Sequence, residues 1–436
     1  MDHQESFKNS HVRLNCSMFY PMTKEKYRAF SIFILFLLPI FLVLPWNLAA
    51  QADPGGNLEY IQHSDGRIFF YAQYQGIIPV YLWVEFPQLQ NLSPSIPFPQ
   101  GFYIPPDGAQ QQMQGLQEEI PPDLTLPPDS MVLFYLEPRP NTSTRFQIQY
   151  RFTWGRPIDP NALDHVYVFP FPHGEKYRIT QGFNGAFTHF LENRYALDFN
   201  LDTGDPIHAA REGVVVAVKQ DSNRGGPSTA YARDGNFILI AHEDGTFGNY
   251  VHLKQHGARV EVGQWVDTGQ HIGYAGATGQ ASGPHLHFDV RVSTENGRFQ
   301  SIPIRFKGID GEIIEPETGR TYYAVHPGGA PFVPVFGDTL TDRDFAQYSE
   351  PIAQMDGIDI RTELIDSTTL IFLQNGHNQP YWVEVTLGLT NLTSTQGTRI
   401  VREVPPLTEV YVTILRPRNP EGGWSHRIQY RFRPLQ

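Results

Sequence analysis

The chain has 436 residues, of which 18 % are charged and 13 % aromatic, with 36 Pro, 38 Gly and a formal net charge of −12. Length predicts two to four domains, and the composition is that of a turn-rich globular protein tilted towards β structure. The acidic balance argues against nucleic acid, or an anionic membrane surface, as a ligand held by charge.

The first segment is a leader. Residues 29–52, "AFSIFILFLLPIFLVLPWNLAAQA", carry no charge, follow Lys24, Lys26 and Arg28, and end on the small residues Ala50 and Ala52. That is the pattern of a secretory signal. It predicts export to the periplasm or cell surface of a bacterium. Left uncleaved, the same run is long enough to anchor in a bilayer, so membrane contact is expected only through it. Met22 offers a second start beside Met1. The single cysteine, Cys16, precedes the apolar run. A chain beginning at Asp53 therefore has no disulfide, and a fold this large needs none.

Two segments further along resemble each other. "LWVEFPQLQNL" (82–92) matches "YWVEVTLGLTNL" (381–392), "PPDSMVLFYLEPRP" (127–140) matches "PPLTEVYVTILRPR" (405–418), and "QIQYRF" (147–152) matches "RIQYRF" (427–432). Three blocks in one order indicate an internal repeat. The first copy is 19 residues longer between Trp83 and Ile148 than the second between Trp382 and Ile428. The Pro/Gln-rich segment 94–128 accounts for the excess. Short alternating runs separated by Pro, Gly and Asn predict small β-sandwiches, immunoglobulin-like in kind. Neither copy holds a catalytic constellation. Packing or spacing is their plain reading, and binding of a partner or glycan the sharper one.

Between the copies the runs "REGVVVAVKQ", "NFILIAHEDG", "GNYVHLKQ" and "HLHFDVRV" read as strands joined by Gly-containing turns. The expected fold is mainly β. It comprises a leader (1–52), a first sandwich copy (53–156), a central antiparallel β domain (157–335) and a second sandwich copy (345–436). In "SGPHLHFDV" a strand period of two puts His285 and His287 on one face, about 6–7 Å apart, with Leu286 opposite. In "NYVHLKQ" the same period puts Tyr250 and His252 on one face, with Val251 and Leu253 towards the core.

The segments "QGFNGAFTHFLENRYALDFNLDTGDPIHAAREGVVVAV", "NYVHL", "VEVGQWVDTGQHIGYAGATG" and "SGPHLHFDV" resemble, in order, the landmarks of lysostaphin-type zinc metalloendopeptidases, which cut peptide bonds of bacterial peptidoglycan. The resemblance covers roughly residues 165–305. It implies one Zn2+ per chain held by His189, Asp198 and His287, with His252 and His285 as catalytic, non-ligand histidines. It also implies peptidoglycan peptide stems as substrate. One departure stands: many members have the first histidine four positions before the aspartate, a slot filled here by Arg194. His189, nine positions before Asp198, is taken as the ligand.

The residue types make chemical sense by themselves. A hydrolytic zinc centre takes three protein ligands and keeps one position open. It activates water, while a base and a proton donor are still required. No H-E-x-x-H helix supplies a glutamate base, which leaves His252 as base and His285 as oxyanion donor, or the reverse. The remaining histidines, among them His208, His242, His256 and His271, read as surface or hydrogen-bonded positions. Gly273, Gly276, Gly279 and Gly283 lack the G-K-[ST] of a phosphate loop and read as turns. Asn193 and Arg194 read as surface residues or substrate contacts. The alternative function is a non-catalytic regulator that activates another wall hydrolase, or binds the wall through the flanking copies.

Overall fold

The computed structural model describes residues 54–106, 119–419 and 422–435. The leader, Cys16 and both candidate starts lie outside them. The structure is nearly all β, with 49 % of residues in strands and 3 % in helix. No helix among the described residues is long and apolar enough to cross a membrane.

The centre is a nine-stranded sheet. Its path runs Trp265–Val266, Gly213–Lys219, Phe237–Ala241, Phe247–Val251, Leu286–Ser293, Leu197–Phe199, Lys176–Gln181 and Thr321–Tyr323, and Phe299–Ser301 pairs beside Leu286–Ser293. The pairings in this sheet are antiparallel. Short parallel pairs also occur in the central region, at Gly225–Gly226 with Gly279–Gln280 and at Arg305–Lys307 with Val166–Tyr167. Every residue of Leu286–Ser293 is buried. The strand has no wet face, and the usual in/out alternation of an antiparallel strand is replaced by two covered faces.

One face packs on a core containing Ile179, Leu197, Phe199, Ile238, Tyr250, Leu253, Leu286, Phe288 and Val290. The other face is covered by the first copy. Val216, Phe237, Leu239, Phe247, Val251 and Phe299 belong to the same apolar cluster as Phe70, Val80, Leu82, Val84, Phe134 and Trp154 of that copy. Burial at about 25 cal/mol per Å² makes such a shared core the main force holding the two together. A hydrogen bond from Ser293 Oγ to the Trp154 carbonyl (2.5 Å) adds a polar tie.

Each copy is built from two sheets. In the first, Asn57–Gln62, Ile68–Gln73, Ser130–Pro138 and Leu92–Pro94 form one, and Gln100–Ile104, Val80–Gln90 and Arg145–Trp154 the other. The second copy repeats this, with Thr368–Asn375 and Thr408–Pro417 central in one sheet and Tyr381–Thr390 central in the other. Equivalent asparagines mark equivalent turns. Asn91 and Asn391 both take a left-handed φ (57° and 54°), a conformation Asn tolerates better than most residues. Their carbonyls accept from the Arg139 and Arg418 N–H groups.

The described part of the insertion lies on its own copy. Arg67 donates to the Glu119 carbonyl, His63 meets Asp123, and Gln73 donates to the Pro128 carbonyl.

Candidate metal centre

Register builds most of the site. Asp198 stands directly opposite His287 across the antiparallel pair of Leu197–Phe199 with Leu286–Ser293. Opposed residues share a face with Cβ atoms about 4.5–5.5 Å apart. The His287 Nδ1 thus reaches Asp198 Oδ1 at 3.0 Å. His189 arrives from the loop before Leu197–Phe199 and sets its Nε2 3.1 Å from the same oxygen. The candidate ligand atoms of the three lie within 4.8 Å of one another, and all three residues are buried.

Each imidazole turns its far nitrogen to an acceptor. His189 Nδ1 is 2.8 Å from the Gly182 carbonyl, and His287 Nε2 is 3.8 Å from Asp289 Oδ2. Gln181 Nε2 donates to Asp198 Oδ2 (2.9 Å) and to Thr188 Oγ1 (2.7 Å). Two neutral imidazoles and a carboxylate, with tautomers set from behind, form a donor set that suits zinc or another first-row divalent ion.

Burial alone would raise the Asp198 carboxyl and lower His287. The hydrogen bonds between them, with His189 on Asp198 and Asp289 on His287, outweigh it. Asp198 is held well below the usual carboxylate range and His287 is pushed up to about 9. A carboxylate buried in a dry site is stabilised by adjacent positive charge, whether a protonated imidazole or a bound cation.

The other two histidines stand beside this cluster. His252 donates from Nδ1 to the Thr278 carbonyl (2.6 Å). Its ring centre is 4.6 Å from that of His285 and 5.8 Å from that of His287. Burial and the neighbouring imidazoles push it down to about 3, so it is neutral near pH 7. His285 Nδ1 faces the Gly283 carbonyl at 3.0 Å, and its Nε2 is 3.7 Å from Asp198 Oδ1.

The alternation expected around His252 fails. Tyr250 is fully buried and its hydroxyl accepts from the Ala210 N–H (2.7 Å). Val251 joins the core shared with the first copy. His252 has a φ of 69°, just past the end of Phe247–Val251. That left-handed residue, a conformation costing about 1–3 kcal/mol outside glycine, turns the imidazole into the groove. Gly279 follows Thr278, whose carbonyl faces His252. It has a φ of 82°, and a Cβ there would stand 2.6 Å from the Gly235 Cα and 3.4 Å from His252 Nδ1.

Asp198, His252, His285 and His287 line a groove of ≈ 380 Å³, and His189 lies buried behind it. Phe187, Phe190 and Leu191 line it and are 57 %, 48 % and 64 % exposed. Thr229, Ala232 and residues 281–284 line it too. No described residue of 94–128 lines it. Arg194 is exposed and donates to the Leu191 carbonyl. Asn193 lines the groove and accepts from Arg291.

Gln181, Asn249, Asp289 and Arg291 are support residues that the motif reading passes over. Asp289 and Arg291 continue the period-two run of His285 and His287, which in sequence places them on the same face without marking a role.

Residues 192–299 match the model of peptidase family M23. The central part of the chain carries a peptidase M23 domain. The match includes Asp198, His252, His285 and His287 and begins just after His189. The chain is 33 % identical over 140 residues to the peptidoglycan DD-endopeptidase ShyA of Vibrio cholerae, covering 31 % of this chain and 30 % of that protein. It is 36 % identical over 137 residues to ShyB of the same organism, covering 30 % and 29 %. The chain thus spans just under a third of the length of these curated relatives. Among solved structures, the catalytic domain of lysostaphin from Staphylococcus simulans is 30 % identical, covering 29 % of this chain and 87 % of that one, with a TM-score of 0.22.

Proposed function

We propose that the protein is an exported zinc endopeptidase that hydrolyses peptide cross-links of bacterial peptidoglycan. One observation carries the reading: two non-ligand histidines, His252 and His285, converge on a groove beside the His189–Asp198–His287 cluster. A regulator that had lost its chemistry would have no need of either.

A zinc ion bound by His189, Asp198 and His287 supplies Lewis acidity towards the scissile carbonyl and its attacking water. The remaining steps belong to the chain. The peptide lies along the groove lined by Phe187, Phe190, Leu191 and the segment 281–284. His252 is neutral, with Nδ1 tied to Thr278, and takes the proton at Nε2 before passing it to the leaving amine. His285 points its Nε2 at the reaction centre. With Nδ1 donating to the Gly283 carbonyl, it stabilises the developing oxyanion as the imidazolium, the form that carries a second N–H at Nε2. The reverse assignment would need a second proton on His252 at Nε2, which burial and the neighbouring imidazoles disfavour.

The test is digestion of isolated sacculi by the purified chain, with mass spectrometry of the released muropeptides. Cleaved cross-links, lost on chelation and restored by zinc, support the reading. Intact sacculi with a zinc-loaded chain would overturn it.

A further inference from the structure

Arg291 is 2 % exposed, and its guanidinium is fully engaged. Nε and Nη2 fork onto the two oxygens of Asp289 (3.0 and 2.6 Å), Nη2 also donates to Asn193 Oδ1 (2.5 Å), and Nη1 reaches the Phe299 carbonyl (3.3 Å). Asp289 is fully buried, accepts from Asn249 Nδ2 (2.9 Å), and faces His287 Nε2. A continuous set of polar contacts runs from Asn193 to His287.

Stability does not explain this arrangement. Desolvating two charges roughly cancels their attraction, and apolar replacements of such pairs are often as stable. What the pair joins is informative. Asn193 ends the 3-10 turn Leu191–Asn193, in the loop that carries His189. Arg291 sits on the strand that carries His287. The loop has little regular structure and includes Leu191 at a φ of 52°. Its other ties include the Gln181 side chain to Thr188 and Phe187, His189 Nδ1 to the Gly182 carbonyl, the Asn184 N–H to the Arg194 carbonyl, the Glu192–Arg298 ion pair and the Tyr195 N–H to Ser301 Oγ. Of all the ties, the Asn193–Arg291 bond is the one that reaches the His287 strand through a fully buried charge.

We propose that Arg291 is a positioning residue. It locks the His189 loop to the His287 strand through Asn193, and Asp289 carries the lock to the His287 ring. Two ligands from distant segments are thereby held in register before any ion arrives. Residues behind metal-binding histidines typically change metal affinity by 10–100-fold when replaced. The inference rests on the metal reading above, but its test has a metal-free arm.

The experiment uses the full chain with Asn193→Ala, Asn193→Asp and Arg291→Lys. Zinc affinity is read by chelator competition. Hydrogen exchange of residues 186–194 is read in the metal-free chain. Asn193→Ala is expected to weaken zinc by about 10–100-fold and to speed exchange in this segment by roughly tenfold or more, a change of about 1.4 kcal/mol or more in local opening. Asn193→Asp restores both, because a carboxylate pairs with the guanidinium. Arg291→Lys, which cannot fork, behaves as Asn193→Ala. Wild-type affinity and exchange in Asn193→Ala would overturn the proposal. Should Arg291→Lys fail to fold, the two Asn193 variants decide. Should the wild type bind no zinc, the metal reading falls and the exchange arm alone judges the lock.

Discussion

His189 Nε2 and Asp198 Oδ1 lie 3.1 Å apart across nine positions of sequence. The slot nearer to Asp198 belongs to Arg194, whose side chain is exposed and turned to the Leu191 carbonyl. His189→Ala should therefore lose stoichiometric zinc, while Arg194→Ala keeps it. Metal analysis of the purified variants decides, and a tightly zinc-loaded His189→Ala would remove His189 from the site.

His252 and His285 separate binding from chemistry. Their alanine variants should each retain one zinc and lose about 10²–10⁴-fold in kcat, the usual contribution of a placed proton-transfer group. Turnover of a defined muropeptide, with metal content measured on the same samples, checks both halves. A variant that turns over as fast as wild type has no catalytic histidine at that position.

His242 should make the fold acid-sensitive. Burial, helped by the nearby Arg211, pushes its imidazole down to about 4. The folded state then binds fewer protons than the unfolded chain, whose histidine titrates near ~6.5. The stability at stake is fully present above that value and is lost as pH falls towards 4, by on the order of 3 kcal/mol for this group. His242→Gln keeps a donor for the Glu212 carbonyl, which His242 Nδ1 meets at 2.7 Å, and removes the titration. Its melting temperature should fall less steeply between pH 6.5 and 4 than that of wild type. Parallel curves would refute the assignment.

Leu286 lies between His285 and His287 and is fully buried in the central core. Leu286→Ala should destabilise by about 2–5 kcal/mol, read as a lower urea midpoint at unchanged slope. A loss below about 0.5 kcal/mol would mean that the strand is not packed as described.

Local pattern made part of this legible. The strand Leu286–Ser293, the run "QIQYRF" and its partner "RIQYRF" announce themselves by period two. The mainly-β class follows from Pro, Gly and Asn placed between such runs. The five candidate site residues were reachable because their landmarks occur in order. The facing of Asp198 and His287 was not, because cross-strand register is a long-range property. The geometry of His252 escaped because one left-handed residue resets the alternation. Asp289 and Arg291 look in sequence like charges on any strand. Their role emerges only when both faces of that strand are covered and the charges have nowhere to go but each other.

The core that the first copy shares with the central sheet has a consequence for modularity. Two similar copies flank the centre, yet they are not equivalent parts. The second keeps its own apolar interior of Ile371, Val383, Val385 and Val412 and touches the centre through ties such as Lys176 to Asp366. The first has surrendered part of its interior to the sheet that bears His287. It behaves as a wall of the central domain and not as an appendage. A fragment begun at Pro157 would expose Phe237 and Phe247 to water, whereas one ended near Val335 would expose far less. The minimal stable unit around His287 should therefore be asymmetric, dispensable on one side only.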